Sequence, residues 1–448
     1  MTSTSVTADP PAMTFSGADK FKLFIVVMVI VAVAESIGIA QFQIGPGKVV
    51  LQPMVWALLI AAAWGLAERL LPRLVQVTAG VQSFAGELLN VGLLLFVVKL
   101  GLTVGAALPQ VREAGWALLF QEFGHTFGTL VLGLPLALLL GVKREAVGAT
   151  FSIGREGNLV IIGEKYGMAS AEGRGVLAEY ITGTVLGALF IALLAGFITS
   201  LNIFDPRSLA MGAGVGSASM MAAGIGAINA QQPAAAVPHL TAIAAASNLI
   251  TQVAGFYFTL FLSLPVCSWL YDRLEPVLGR FSKREVKQQI SDAAVLAGIG
   301  GMKAKELSLA DKLIAWAVMT GGVMIGNWLT YKVPVLQSLI GMLIVIAIAL
   351  LVDLVKRLVQ RLPMVLVLSV TATVLGIPGL LPFSDAMIAA TAKLNFLTFT
   401  TPVLALAGFS VAKDLPIFRQ LGWRIVVVSL TAAAGTFLGA TLVAELFH

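Results

Sequence analysis

The chain has 448 residues, of which 58% are hydrophobic and only 12% charged, with a formal net charge of +6. Ordinary soluble domains carry about 25% charged residues; with a mean hydropathy of +0.94, the composition excludes a soluble globular protein. The single cysteine, Cys267, excludes a disulfide framework and a cysteine-rich metal site, and no basic cluster is interleaved with aromatics as nucleic-acid binding would require.

Residues 1–18 are polar and rich in Ser, Thr and Pro, and are expected to form a disordered tail without a cleavable signal peptide. Apolar runs long enough to span a bilayer follow near 22–42, 49–67, 84–106, 116–141, 176–201, 239–271, 313–331, 335–352, 363–384, 387–411 and 424–446. The alternating ten-residue segments of a membrane β-barrel are absent. The expected fold is therefore an all-α integral membrane protein with about 10–13 transmembrane helices, two of its segments discontinuous or re-entrant, and an internal repeat. The polar stretch 272–312 holds Arg273, Arg280, Lys283, Arg284, Lys287, Lys303 and Lys305, which places it in the cytoplasm, and with it the N-terminus. The expected location is a bacterial inner membrane, crossed several times. The chain divides into the tail, a first scaffold and repeat half (19–141), a core transport region (142–271), the cytoplasmic loop (272–312) and a second repeat half (313–448).

The repeat rests on two stretches. Residues 101–116 read GLTVGAALPQVREAGW and residues 408–423 read GFSVAKDLPIFRQLGW, so Gly, Val, Leu-Pro, Arg and Gly-Trp coincide without a gap. At the same offset Gly128-Thr129 aligns with Gly435-Thr436. A weaker pair, Ala18-Asp19-Lys20 and Ala310-Asp311-Lys312, opens a span in each half, with an extra helix (363–384) inserted in the second. Repeats of this kind favour a secondary transporter, and the sequence leaves open whether the copies are inverted.

Two apolar segments, 146–165 and 208–232, are interrupted. In the first, Arg155 and Glu156 lie between Gly154 and Gly157, with Ser152 and Asn158 nearby. Charge in hydrocarbon is costly and marks function, pairing or a water-filled cavity, and broken backbone at membrane depth is tolerated only where protein or water covers it. One reading is a re-entrant hairpin whose free N–H groups and Arg155 hold a carboxylate; the other is a solvated surface loop. In the second, Gly212, Gly214, Gly216, Ser217 and Ser219 form a small-residue run that reads as a hairpin tip open to close substrate approach or as a helix-packing face. Asn248 follows on the next long run.

Coupling-ion candidates are drawn from neighbouring spans. Glu122 and His125 share a helix face at i,i+3 and can titrate together, or serve as a structural pair. Glu179 opens the span after the first break. Asn395, Thr398 and Thr401 precede Pro402, whose missing N–H frees a carbonyl, so the patch offers Na⁺ ligands or interhelical hydrogen bonds. Glu35, Glu87 and Lys393 are further intramembrane candidates. No catalytic residue and no resident metal or cofactor are assigned.

The motifs SIGREGNLVIIGEKYG and MGAGVGSASMMAAGIGAI resemble those of an uncharacterised prokaryotic and fungal membrane family known only as a domain of unknown function, over most of the chain from about residue 20. More loosely, the paired Gly/Ser-rich segments are similar to the hairpins of elevator-type sodium symporters of the glutamate and 2-hydroxycarboxylate classes. That likeness implies a moving transport domain containing both hairpins and a dimerising scaffold, with Ser152, Arg155, Asn158, Gly216 and Ser217 matched by role. The departure is that both breaks here stand side by side, not one per half-chain. The expected function is a secondary active transporter of a small organic anion, coupled to Na⁺ or H⁺, in a homodimer within the lipid bilayer. Its substrate would bind Ser152, Gly154, Arg155, Glu156, Asn158, Gly214, Gly216, Ser217, Ser219 and Asn248. A channel is the first alternative and an intramembrane enzyme the second; the chain has no phosphate-binding Gly-x-x-x-x-Gly-Lys motif.

Overall fold

Two helix starts show how local sequence sets the frame. Ser16-Gly-Ala-Asp19-Lys20 and Ser308-Leu-Ala-Asp311-Lys312 both place a serine at the N-cap, where its Oγ accepts from the backbone N–H three residues on, at 3.1 Å from Asp19 and 3.2 Å from Asp311. The helices that follow lie side by side and point the same way. Lys20 pairs with Asp311 at 2.5 Å at their starts, and Thr330 reaches Glu35 at their ends. Lys312 in turn pairs with Asp353 at 2.6 Å.

The structure is a computed structural model and describes residues 16–44, 47–108, 115–154, 156–167, 170–281, 308–358, 364–418 and 422–447. In chain order the elements are α1 (Gly17–Ile37), β1 (Ala40–Ile44), β2 (Gly47–Leu51), α2 (Pro53–Leu66), α3 (Ala79–Ala106), α4 (Ala117–Leu139), α5 (Glu145–Thr150), α6 (Glu156–Lys165) and α7 (Ala171–Ser200). They continue with α8 (Pro206–Ala213), α9 (Ala218–Asn229), α10 (Val237–Phe258), α11 (Leu264–Leu278), α12 (Leu309–Leu329), α13 (Val335–Leu358), α14 (Met364–Leu375), α15 (Ser384–Ala392), α16 (Phe396–Phe418) and α17 (Trp423–Glu445). Seven helices among the described residues are long and apolar enough to cross a membrane: α3, α4, α7, α12, α13, α16 and α17. The chain is a multi-pass, α-helical membrane protein.

The ten to thirteen spans expected from hydropathy sort differently in three dimensions. The run 22–42 becomes α1, which carries Asp19, Lys20, Lys22 and Glu35. The run 49–67 is shared between β2 and a helix of 14 residues. β1 and β2 form an antiparallel hairpin, Ala40 opposite Leu51, where hydropathy predicts the end of one span and the start of the next. The run 239–271 is interrupted at Thr259–Ser263 by a turn of π-helix. Residues 363–411 divide into α14, α15 and the start of α16.

Lipid tails are as apolar as leucine, so membrane helices associate through close packing and interhelical hydrogen bonds rather than through burial from water. The α4–α17 crossing uses both. The two helices run antiparallel, and a Cβ placed on Gly128 would collide with the carbonyl of Gly435, while one on Gly435 would collide with that of Gly128. Beside this contact Thr129 Oγ1 and Thr436 Oγ1 lie 2.7 Å apart. Residues that align at one sequence offset therefore face each other in space. α3 and α16, which carry the 101–106 and 408–418 portions of the similar stretches, are also antiparallel: Gly86 lies against Ser410 and the Phe96 ring lies 5.2 Å from Phe396.

The buried apolar side chains form two clusters. The larger joins α1, α2, α3, α9, α12, α13 and α16 around residues such as Phe84, Phe96, Trp316 and Phe399. The smaller joins α4, α5, α6 and the first half of α7 with Cys267 of α11 and Ile425 and Val428 of α17.

Candidate functional site

Each interrupted segment folds as two short helices around a non-helical break. α5 ends at Thr150, residues 151–154 are non-helical, and α6 begins at Glu156. α8 ends at Ala213 and α9 begins at Ala218. In the second break Gly216 has φ +86°, a left-handed backbone that glycine adopts without a Cβ penalty. Ser217 then caps α9, its Oγ accepting from Met220 N at 3.3 Å.

The breaks enter from opposite ends of the bundle. The first segment starts where Arg144 bonds Glu172 at 2.7 Å, Asp272 at 2.9 Å and Ser268 at 3.0 Å, and where Arg174 pairs with Glu145 and Lys143 with Glu275, each at 2.7 Å. Burial alone lowers the affinity of the Arg144 guanidinium for its proton, yet the hydrogen bond and charge of Glu172, with Asp272 and Tyr166 nearby, hold its pKa above the ordinary value. The second segment starts at Asp205, whose N–H donates to Glu445 at the end of α17 at 3.1 Å. Arg144→Gln is expected to cost about 1 kcal/mol, since the side chain is one-third exposed and its pairs are screened. Thermal melts in low and high salt check this: the wild-type advantage of a few degrees shrinks as salt rises.

Between these ends the two breaks meet. Ile153 Cδ1 lies 3.2 Å from where a Cβ on Gly216 would stand. Each break is braced by the long helix that follows the second one. From α10, Ser247 Oγ donates to Met211 O at 2.8 Å, and Asn248 Nδ2 donates to Gly214 O at 2.7 Å and Gly216 O at 3.1 Å. Met211 O also accepts from Gly214 N at 3.0 Å, whereas the Gly214 and Gly216 carbonyls lie in the break beyond the helical ladder, where Asn248 supplies their partner. From the π turn after α10, Thr259 Oγ1 donates to Ser152 Oγ at 3.3 Å and Ser263 Oγ donates to Phe151 O. π turns of this kind are often functional. A second one, Gly183–Gly187, lies inside α7, and its Gly187 packs on Met220 of α9.

The predicted substrate residues Ser152, Gly154, Asn158, Gly214, Gly216, Ser217, Ser219 and Asn248 are thus brought to one region. Ser152 and Asn158 are buried and Gly154 is exposed. Ser152 Oγ accepts from Gly154 N at 3.2 Å, and Ser217 and Ser219 hydroxyls lie 3.1 Å apart. Asn158 is only 1% exposed, and among the described residues its Nδ2 has no hydrogen-bond partner. A buried amide left in this way costs free energy until something accepts from it. Glu156 opens α6, and Arg155 lies outside the described residues.

Of the coupling candidates, Glu122 and His125 are tied to α10. Glu122 Oε1 accepts from Gln121 Nε2 at 2.9 Å and from Thr251 Oγ1, one turn beyond Asn248 on α10. Glu122 Oε2 lies 3.5 Å from His125 Nδ1, and both side chains are buried. Glu179 is buried on α7, its Oε1 3.6 Å from the Cβ position of Gly183, where the π turn starts. Asn395, Thr398 and Thr401 belong elsewhere. Asn327 Oδ1 accepts from Asn395 N at 3.1 Å and from Thr398 Oγ1 at 3.4 Å, while Thr401 donates to Glu35 at 2.6 Å.

Lys99 was overlooked in the sequence. It is 8% exposed on α3, and its Nζ donates to Thr391 O in the last turn of α15 at 2.9 Å. A cation at a helix C-terminus meets the negative end of the dipole, and a lysine in mid-run is the signal that would have found it. Among the described residues no three His, Cys, Asp or Glu side chains gather as a metal-ligand set.

Residues 32–273 match a family model described as a protein of unknown function, DUF3100. The match spans more than half of the chain and includes both breaks and the Glu122–His125 pair. The chain belongs to the DUF3100 family. No curated protein matches it, and no solved structure does. The anticipated family of unknown function is therefore the right one, whereas the likeness to sodium symporters has no named relative behind it.

Proposed function

We propose that this DUF3100 protein is a secondary active transporter of a small organic anion, with its substrate site where the two broken segments meet. The observation that carries the reading is the contact of Ile153 with Gly216, reached by two helical hairpins from opposite ends of the bundle. Two helix N-termini, those of α6 and α9, begin within three residues of that contact. Their free N–H groups and positive dipole ends favour an anion. The buried, unpartnered Asn158 amide adds a donor, and Arg155, which the sequence places between the contact and α6, adds a fork that suits a carboxylate.

In this reading the hairpins are re-entrant and the repeat is inverted. The antiparallel α4–α17 and α3–α16 pairs support it, and so does Glu445 of α17 against Asp205 at the start of α8. Hairpin two thus follows α17 in space as hairpin one follows α4 in the chain, a permuted arrangement that reconciles adjacent breaks with an inverted architecture. The moving unit comprises α4 to α11 with α17, and the other helices form the scaffold, which dimerises in a bacterial inner membrane. Glu122 and His125 carry a coupling proton: Thr251 ties their site to the helix that clamps the Gly216 tip.

Proteoliposomes offered labelled dicarboxylates and amino acids from outside test this. Saturable uptake driven by a Na⁺ or H⁺ gradient is expected, falling at least tenfold in Arg155→Ala and in Asn158→Leu. Flux that ignores both gradients and both substitutions overturns the reading, and unitary currents in planar bilayers would favour a pore.

A further inference from the structure

A second buried polar site lies away from the hairpin contact, between α1, α12 and α16. Glu35 is 7% exposed near the end of α1. Its Oε2 accepts from Thr330 Oγ1 at 2.5 Å and its Oε1 from Thr401 Oγ1 at 2.6 Å. Those are its hydrogen bonds, and among the described residues no lysine, arginine or histidine pairs with it. A carboxylate in an apolar bundle is expensive unless its charge is neutralised. Beside it is a cavity of about 80 Å³ whose polar lining is Glu35, Gln52, Thr330, Tyr331, Thr400 and Thr401, with Ile39, Pro53, Met54 and Leu397 as apolar walls. Gln52 is 2% exposed, and among the described residues its Nε2 has no hydrogen-bond partner.

We propose that this cavity is a sodium site, in which Glu35 supplies the charge and Thr330 and Thr401 supply hydroxyl oxygens. The donor set is all oxygen, which selects a hard cation over a soft one. One carboxylate balances one positive charge, which selects a monovalent ion over Ca²⁺ or Mg²⁺. Each threonine hydroxyl donates to Glu35 and keeps lone pairs for the ion. The cavity has room for the ion with one or two waters, and a water can take the free Gln52 donor. Charge neutralisation in this place locks α1 to α12 and α16, whose contact otherwise encloses a bare carboxylate.

The site is independent of the substrate reading, so its test is one of binding. The full chain, purified in nanodiscs, is melted at fixed ionic strength with NaCl exchanged for KCl or choline chloride. A ligand of the folded state raises stability by mass action. The melting temperature is expected to climb by several degrees with Na⁺ and not with K⁺ or choline, and Glu35→Gln is expected to lose the response. Thr401→Val and Thr330→Val each shift the Na⁺ midpoint upward at least fivefold, and they carry the same readout should Glu35→Gln fail to fold. A wild type indifferent to Na⁺ across pH 6 to 8 overturns the proposal, as does a Na⁺ response that survives in the variants. A sodium response without any uptake in proteoliposomes would remove the transporter reading and leave the site standing.

Discussion

Leucine at Gly435 is expected to leave little folded, monodisperse protein. The α4–α17 crossing holds two backbones so close that even a Cβ at Gly128 or Gly435 overlaps the opposite carbonyl. Neither obstacle is the end of a flexible side chain. To admit leucine the helices must separate, and separation breaks the Thr129–Thr436 hydrogen bond and uncovers backbone that the contact had buried. Overpacking costs 1–3 kcal/mol where a core can shift; here, with backbone on both sides, about 3 kcal/mol or more is expected. Fluorescence-detected size exclusion and a thermal melt measure it, with Gly17→Leu as a control at an open position of ordinary helical backbone. The same contact gives a positive test. Cysteines at Thr129 and Thr436 together are expected to crosslink under mild oxidant, joining the two halves of the chain. Failure of both measurements would remove the antiparallel crossing and, with it, the support for an inverted repeat.

That crossing also shows what could be read in advance. Gly128-Thr129 and Gly435-Thr436 align in the sequence because the register is set by Trp, Arg and Pro, which are scarce in an apolar chain and stand out against it. The two breaks were legible for the same reason, since Arg155-Glu156 and alternating glycines interrupt long apolar runs. Contacts between distant residues left no such trace. Glu35 stood out as a charge in a span, but its partners are 295 and 366 residues away, and no periodicity announces a threonine as the one that faces it. The β-hairpin was hidden because Val49, Val50 and Leu51 continue into an apolar helix and read as its beginning. The path of α17 back to hairpin two was hidden as well. It rests on Glu445 at the N–H of Asp205, 240 residues away, and on Gly212 packed against Thr441 and the Phe437 carbonyl.

Asn248→Leu is expected to abolish substrate-dependent behaviour while the protein still folds. Asn248 is buried, and its amide donates to the carbonyls of both Gly214 and Gly216. These carbonyls stand in the break between α8 and α9, outside the hydrogen-bond ladder of either helix. Leucine is close to asparagine in size and keeps the packing, but it removes both donors. A buried acceptor stripped of its partner costs about 1–3 kcal/mol, so the loss is about 2–6 kcal/mol, confined to the tip. That is enough to release the left-handed Gly216 from its contact with Ile153 without melting the bundle around it. Hydrogen exchange in residues 212–219 is expected to quicken by at least tenfold while exchange in α4 and α17 holds. Uptake in proteoliposomes is expected to fall with it. Faster exchange at the tip with full uptake would separate the clamp from transport and move the substrate site off hairpin two. Unchanged exchange would show that α10 braces the tip by packing alone. Because Asn248 precedes Thr251 by less than one turn, and Thr251 donates to Glu122, the same variant also reads the proposed link between tip and proton. If the clamp transmits, the pH dependence of uptake in a weaker variant, Asn248→Asp, should shift together with that of Glu122→Gln. If it does not, only the second should move.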